Sequence, residues 1–173
     1  MDMPEATMRE LEDVVNYLMD NELYLATAES CTAGLIAAAL GAMPGGGQIM
    51  ESGYVVYSPQ EKHRLLGVSH HTIDKFGLTS EEVAREMATG ALLDSEANVA
   101  VATTGVAGPD PMDDIPPGTV CFSWAFGVEG RREVFTCTKH FPGDRQAVIR
   151  QASEFALVGI KTYHGKAKQQ ALV

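Results

Sequence analysis

Apolar positions along the chain follow two periods, and each period predicts a different kind of element. After Pro4, the residues Met8, Leu11 and Leu18 recur at helical spacing, which predicts an amphipathic helix over residues 5–20. Short runs rich in β-branched and aromatic residues predict strands instead. Further helices are predicted at 31–43, 59–67, 80–97 and 143–160, and strands at 23–28, 51–58, 119–128 and 132–141, with another strand that starts at 98 and runs into a glycine-rich loop.

Hydroxyl residues mark two of the predicted helix starts. "SPQE" has the form of a capping box, with Ser58 as the N-cap, Pro59 at the first helical position and Glu61 three residues after the cap. "TSEE" over residues 79–82 predicts a second box. Strands and helices alternate until one antiparallel hairpin joined by "EG", which predicts an α/β layered sandwich with a mixed sheet. With neither an internal repeat nor a linker, we expect one domain over residues 1–173, with its core over about 10–162 and a frayed helix end or polar tail after it.

Composition and charge narrow the class of protein. An apolar content of 45% and a charged content of 21% in 173 residues are typical of a soluble globular chain. No apolar run reaches a membrane-spanning length and the N-terminus is acidic rather than signal-like, so we expect no membrane partner and a cytoplasmic location. The net charge of −10 argues against nucleic-acid binding, although one arginine with backbone amides could still hold a single phosphate.

Thiol and imidazole groups show no metal-ligand spacing. The three cysteines (Cys31, Cys121, Cys137) form no CxxC pair, a pattern typical of reduced intracellular thiols. The five histidines are scattered without carboxylate partners at ligand spacing. We therefore expect neither a metal nor a cofactor.

Three polar clusters fall where predicted strands end: "ESCT" (29–32), "YSPQEK" (57–62) and "TTGVAGPD" (103–110). In open α/β sheets, ligands bind outside the carboxyl ends of the strands. Each cluster is a weak signal alone, but together they predict the rim of one pocket.

The first cluster admits several interpretations. Ser30 or Thr32 could simply cap the following helix. Alternatively, the helix amides could stabilise an oxyanion or a phosphate beside Ser30. Cys31 could be a nucleophile, since a helix N-terminus lowers a thiol pKa, but no histidine lies near it in sequence.

The other clusters supply a lysine, threonines and an arginine. Tyr57 ends a strand, and Lys62 lies in the first turn of a helix, where the macrodipole favours a neutral amine that could act as a base toward a serine. Lys62 could equally be a solvated surface lysine. The glycine-rich "TTG" turn could approach a ligand or only shape a strand exit, and Arg145 in "FPGDR" could bind a phosphate or carboxylate or form a surface ion pair.

Taken in order, these stretches resemble the CinA C-terminal domain family, whose characterised members are nicotinamide mononucleotide (NMN) deamidases. The resemblance runs from about residue 10 to residue 160. It implies a three-layer α/β/α sandwich with a mixed, mostly parallel sheet and a self-associating protein, and at 173 residues we expect the stand-alone form. The exposed edge of the late hairpin is one possible contact for self-association. The matching stretches are "AESCTAGLIAAAL", "ESGYVVYSPQEKHRLLGV", "EEVAREMATGAL", "VATTGVAGPD", "PPGTV" and "FPGDR".

The resemblance also implies roles for individual residues. Ser30 would be the nucleophile, Lys62 its base and Tyr57 a polar partner in the same network. The implied reaction converts a small nucleotide substrate, NMN, to nicotinic acid mononucleotide and ammonia. The resemblance implies that the oxyanion is held by backbone amides, either those of Cys31, Thr32 and Gly34 or those of the "TTG" loop with Gly105. It also implies that Thr104 and Arg145 bind the ribose phosphate end of the substrate.

Three departures from the family pattern flank the expected pocket. Ala33 stands where the family usually has glycine, and Pro59 where it has asparagine. The loop "GPDPMDDIPPG" (108–118) loses the family's paired glycines, and in it Ile115 stands where lysine is common. They leave two alternatives open: a catalytically inactive nucleotide-binding or scaffold protein, or an amidase for another carboxamide.

Overall fold

The computed structural model describes residues 4–128 and 130–171. A five-stranded mixed sheet has the order β2-β1-β3-β4-β5, in which β1 pairs in parallel with β2 and β3, while β4 is antiparallel to β3 and β5. The predicted mixed sheet is therefore confirmed, with a parallel centre and an antiparallel hairpin at one side. The elements are α1 Glu5–Asp20, β1 Leu25–Glu29, α2 Leu35–Gly41, α3 Gly46–Ile49, β2 Met50–Val55, α4 Pro59–Leu66, α5 His70–Phe76, α6 Glu81–Asp94, β3 Val99–Val106, β4 Thr119–Val128, β5 Arg131–His140 and α7 Arg145–Ala171.

Helices cover both faces of the sheet and so complete the three predicted layers. On one face, small side chains such as Ala26, Ala100 and Ala125 form a core with α4 and α6. On the other face, Phe122 and Trp124 pack with α1, α2 and α7. Within the described ranges, no helix combines the length and the apolar character that a membrane crossing requires.

The helix predicted from Cys31 begins later than expected, at Leu35. Ala33 and Gly34 have φ angles of +53° and +93°, so residues 31–34 form a turn instead of a first helical turn. The Glu29 carboxylate, rather than Ser30 or Thr32, accepts the amide protons of Gly34, Ile36 and Ala37 at the helix start. The suggestion that a hydroxyl caps this helix was therefore wrong.

Other predicted boundaries are confirmed in part. Ser58 accepts the Glu61 amide proton at 3.1 Å, as the first capping box predicts, whereas the Glu61 carboxylate binds Arg64. In the second box the cap is Ser80, which accepts the Val83 amide proton, so the helix starts one residue later than "TSEE" suggests. The predicted "EG" turn includes residue 129, which lies outside the described residues.

The C-terminal segment is helical well beyond residue 160. Helix α7 continues to Ala171, and its residues His164 and Ala167 are buried. A hydrogen bond of 2.9 Å between Tyr17 and His164 ties this part of α7 to α1. Polar composition suggested a frayed end, but one face of the segment packs on the core.

Candidate active site

The three polar clusters converge on one cleft at the carboxyl ends of the parallel strands. Of the nine residues proposed from the sequence, seven line it: Ser30, Cys31, Tyr57, Lys62, Thr104, Gly105 and Arg145. The side chain of Thr32 and the amide of Gly34 do not enter it: the Thr32 hydroxyl donates to Glu29 at 2.7 Å and the Gly34 amide at 3.0 Å, while the Thr32 amide donates to no described residue.

Ser30 and Lys62 are in direct contact. Lys62 Nζ lies 2.9 Å from Ser30 Oγ, although the residues are 32 positions apart in sequence. Ser58 and Pro59 start α4 so that Lys62 falls in its first turn, facing the end of β1. On the other side, the Ser30 amide donates to Thr103 O at 3.0 Å, which ties the serine to β3.

The environment of Lys62 makes its amine easier to deprotonate than that of an ordinary lysine. The side chain is 1% exposed, and its Nζ contacts Val56 O at 2.7 Å and Tyr57 O at 3.1 Å in addition to Ser30. Burial lowers the pKa of Lys62 to about 8. Nζ donates to the two carbonyls and to Ser30 Oγ, and when it loses a proton its lone pair faces the Ser30 hydroxyl. The arrangement can therefore accept the Ser30 proton.

Cys31 lines the same cleft but differs chemically from Ser30. It is 5% exposed, and burial raises the pKa of its thiol to about 12. At neutral pH the thiol therefore stays protonated, which makes it a poor nucleophile.

Tyr57 and Arg145 lie at the rim of the cleft, and Thr104 belongs to its buried lining. The Arg145 guanidinium donates to the Tyr57 hydroxyl at 3.1 Å and to Gly108 O at 2.7 Å, so it bridges two loops at the rim. Tyr57 thus meets Lys62 through its main-chain carbonyl, not through its hydroxyl. Thr104 is buried and donates its hydroxyl to Leu78 O at 2.8 Å.

Further residues of the cleft were not proposed as site residues from the sequence, although Asp110 lies in the cluster "TTGVAGPD" and Thr79 in "TSEE". Leu78 and Thr79 come from the loop before α6, and Asp110 and Met112 from the loop after β3. The hydrogen bond between Thr104 and Leu78 O brings the first of these loops to the end of β3. Such proximity arises from packing between distant segments, and no motif or period reports it.

The departing residues Ala33, Pro59 and Ile115 lie outside the lining of the cleft, whereas Met112 of the altered loop is part of it. Ala33 is exposed, and the effect of its methyl group is a strained left-handed backbone rather than a filled pocket. Pro59 occupies the first position of α4, where no intrahelical amide bond is lost. Ile115 forms a bridge with Met112 in the loop. In the parts of the chain that the structure describes, no group of three or more His, Cys, Asp or Glu residues is placed to hold a metal ion.

Comparison with known proteins gives consistent results. A curated relative named nicotinamide-nucleotide amidohydrolase PncC, from Enterobacter agglomerans, is 46% identical over 135 residues, which are 78% of this chain and 80% of the relative. A CinA-like protein from Akkermansia muciniphila is 42% identical over 85% of this chain, but the match spans only 35% of that longer protein.

Solved structures with a similar fold carry the same family name. The crystal structure of a competence-damaged protein (CinA) superfamily protein from Escherichia coli superposes with a TM-score of 0.82 at 34% identity, covering 92% of each chain. The family model for the CinA C-terminal domain matches residues 8–164, a range that contains every residue lining the cleft. The chain therefore belongs to the CinA C-terminal domain family.

Proposed function

We propose that this cleft hydrolyses the carboxamide of NMN to nicotinic acid mononucleotide and ammonia, through an acyl-enzyme on Ser30. The observation that carries the proposal is the contact of 2.9 Å between Ser30 Oγ and a buried Lys62 amine whose other partners are main-chain carbonyls. The relative named nicotinamide-nucleotide amidohydrolase supports the choice of substrate. Of the departures that suggested an inactive protein, the residues Ala33, Pro59 and Ile115 lie outside the cleft lining.

In the first half-reaction, neutral Lys62 takes the Ser30 hydroxyl proton while Oγ attacks the carboxamide carbon. A tetrahedral oxyanion forms, and its C–N bond breaks as Lys62 returns the proton to the departing nitrogen, which leaves as ammonia. In the second half, Lys62 takes a proton from water, and the resulting hydroxide attacks the ester. The ester bond to Ser30 breaks, Oγ regains the proton from Lys62, and the free carboxylic acid is released.

Backbone amides next to the nucleophile would hold the oxyanion. Gly34 is excluded from this role because its amide donates to Glu29. Among the described residues, the amides of Cys31 and Thr32 have no protein acceptor, and they directly follow Ser30, so we assign the oxyanion to them. At the rim, the exposed Arg145 guanidinium would bind the phosphate of the substrate, with Thr104 deeper in the cleft.

Purified protein is expected to release ammonia from NMN with a kcat/KM of about 10⁴ M⁻¹s⁻¹ or more. An enzyme-coupled ammonia assay, with chromatography of nicotinic acid mononucleotide, measures this. Nicotinamide riboside, which lacks the phosphate, is the control and should react with a higher KM. Turnover of another carboxamide with NMN inert would contradict the proposed substrate. Binding of NMN by calorimetry without turnover would indicate a nucleotide-binding protein instead.

The rate of acylation is expected to rise with pH and to level off above about pH 8, the pKa to which burial lowers Lys62. The base form is the deprotonated amine, so each pH unit below that value leaves roughly a tenth as much of it. Phosphonylation of Ser30 by an uncharged fluorophosphonate measures this without interference from the phosphate of NMN. A labelling rate that stays constant between pH 6 and 8 would contradict Lys62 as the base.

A further inference from the structure

The residue immediately before Ser30 is a buried carboxylate without a cationic partner among the described residues. Glu29 is 0% exposed, and all four of its hydrogen bonds come from the turn and helix that follow Ser30. One oxygen accepts the Thr32 hydroxyl at 2.7 Å and the Gly34 and Ile36 amides at 3.0 Å each; the other accepts the Ala37 amide at 2.9 Å.

These bonds act on the geometry of Ser30. They close residues 29–37 into a loop in which the nucleophile and Cys31 form the outer bend. The Thr32 hydroxyl is also 2.8 Å from Thr103 Oγ1, and the Ser30 amide donates to Thr103 O, so the same loop is fixed to β3. A buried carboxylate is stable only when it is hydrogen-bonded, and the turn and helix after Ser30 supply all four donors to Glu29. The carboxylate therefore binds the turn after the nucleophile as well as the start of α2.

The hydrogen bonds within this loop leave a specific pair of donors. Ala33 donates its amide to Ser30 O and Leu35 donates to Thr32 O, while Glu29 takes the amides of Gly34, Ile36 and Ala37. Within the described ranges, only the amides of Cys31 and Thr32 are left without a protein acceptor in this loop. These two amides directly follow the nucleophile.

We propose that Glu29 is a positioning residue, which acts through the turn that it binds. It holds Ser30 Oγ against Lys62 and keeps the amides of Cys31 and Thr32 free for the oxyanion. This inference rests on the proposed Ser30 chemistry but not on the identity of the substrate. Glu29 touches neither the substrate nor the proton in transfer.

Glu29→Gln separates positioning from gross folding. A glutamine oxygen can replace the oxygen that accepts three of the bonds, but its NH2 group then faces the Ala37 amide, donor against donor. The turn loosens while the side chain keeps its size. A displacement of about 1 Å at a reacting group lowers a rate by about 10²-fold, so we expect kcat to fall by about 10- to 100-fold with KM nearly unchanged. The pH midpoint should stay in place, because the burial that lowers the pKa of Lys62 and its two carbonyl partners are not altered.

Glu86→Gln is the matched control. Glu86 also accepts one backbone amide, from Ser69 at 2.7 Å, and one threonine hydroxyl, from Thr72 at 2.6 Å, but it lies outside the cleft. Thr32→Val removes one bond to Glu29 without altering the carboxylate, and Thr32→Ser should restore the rate. These variants keep the inference testable if Glu29→Gln does not fold.

The experiment measures the rate of fluorophosphonate labelling at Ser30, kcat and KM for NMN, and thermal unfolding, in the parent and all four variants. Slower labelling and lower kcat in Glu29→Gln and Thr32→Val than in Glu86→Gln, at similar loss of stability, support the inference. The inference would be overturned if Glu29→Gln lost no more labelling rate and kcat than Glu86→Gln, or if Thr32→Val kept the parental rates. A parent that labels at Ser30 but leaves NMN intact refutes the substrate alone, and labelling still tests Glu29. A parent that does neither overturns both proposals.

Discussion

Ser30→Ala is expected to lower kcat for ammonia release from NMN by about 10³-fold or more, because no other group in the cleft can form the acyl-enzyme at neutral pH. Cys31 is the nearest alternative nucleophile, but burial raises the pKa of its thiol to about 12. The fold should change little, since alanine leaves the bond from the residue 30 amide to Thr103 O intact. Stopped ammonia assays at high enzyme concentration, with circular dichroism as a check on folding, measure the effect.

Ser123→Ala is the matched control for this experiment. Ser123 is a fully buried serine on β4 whose hydroxyl has no hydrogen-bond partner among the described residues. Its removal should leave activity at the parental level. If Ser30→Ala keeps its activity and Cys31→Ala loses it, the nucleophile is the thiol and the proposed mechanism is wrong.

Lys62→Met should lower kcat by a similar factor, about 10³-fold, because it fills the buried position without offering a base. Lys62→Arg distinguishes a base from a positive charge: a guanidinium remains protonated at all accessible pH values, so it cannot accept the Ser30 proton. Both variants are therefore expected to be inactive in the ammonia assay and in fluorophosphonate labelling.

Lys75→Met serves as the control lysine, since Lys75 lies exposed on α5, away from the cleft. It should retain parental kcat and KM. Activity in Lys62→Arg would assign an electrostatic role to Lys62 and would contradict the proton transfer. Activity in Lys62→Met would remove Lys62 from the mechanism altogether.

The sequence allowed the elements of the site to be predicted where local chemistry determines them. Ser58 and Pro59 define the start of α4 by capping and by a fixed φ angle, and these effects operate within one turn. The convergence of Ser30 and Lys62 was suggested by the rule for strand ends and by the family resemblance. The distance between Ser30 and Lys62 could not be predicted, because it depends on how α4 packs against the end of β1.

The role of Glu29 shows what sequence patterns miss. In "ESCT" the hydroxyls suggested a helix cap, but the fully buried Glu29, which lies before the helix, accepts the amide protons at the helix start instead. The hydrogen bonds from the Ile36 and Ala37 amides to Glu29 form after a turn with two successive left-handed residues, Ala33 and Gly34. Periodicity cannot detect this turn, because Ala33 has a strong helical propensity. Likewise, the polar composition after residue 160 hid the buried face of α7, which packs in the core through His164 and Ala167.

The two carbonyl groups that accept from Lys62 have a consequence for variation in this protein. They belong to the main chain of Val56 and Tyr57, so no side-chain replacement at these positions removes them. The polar groups around Lys62 Nζ thus depend on the backbone conformation between β2 and α4, not on which side chains stand at positions 56 and 57. Position 57 is free to change the cleft rim without altering proton transfer. Divergence in this segment would change which molecule enters, while the reactive pair stays the same.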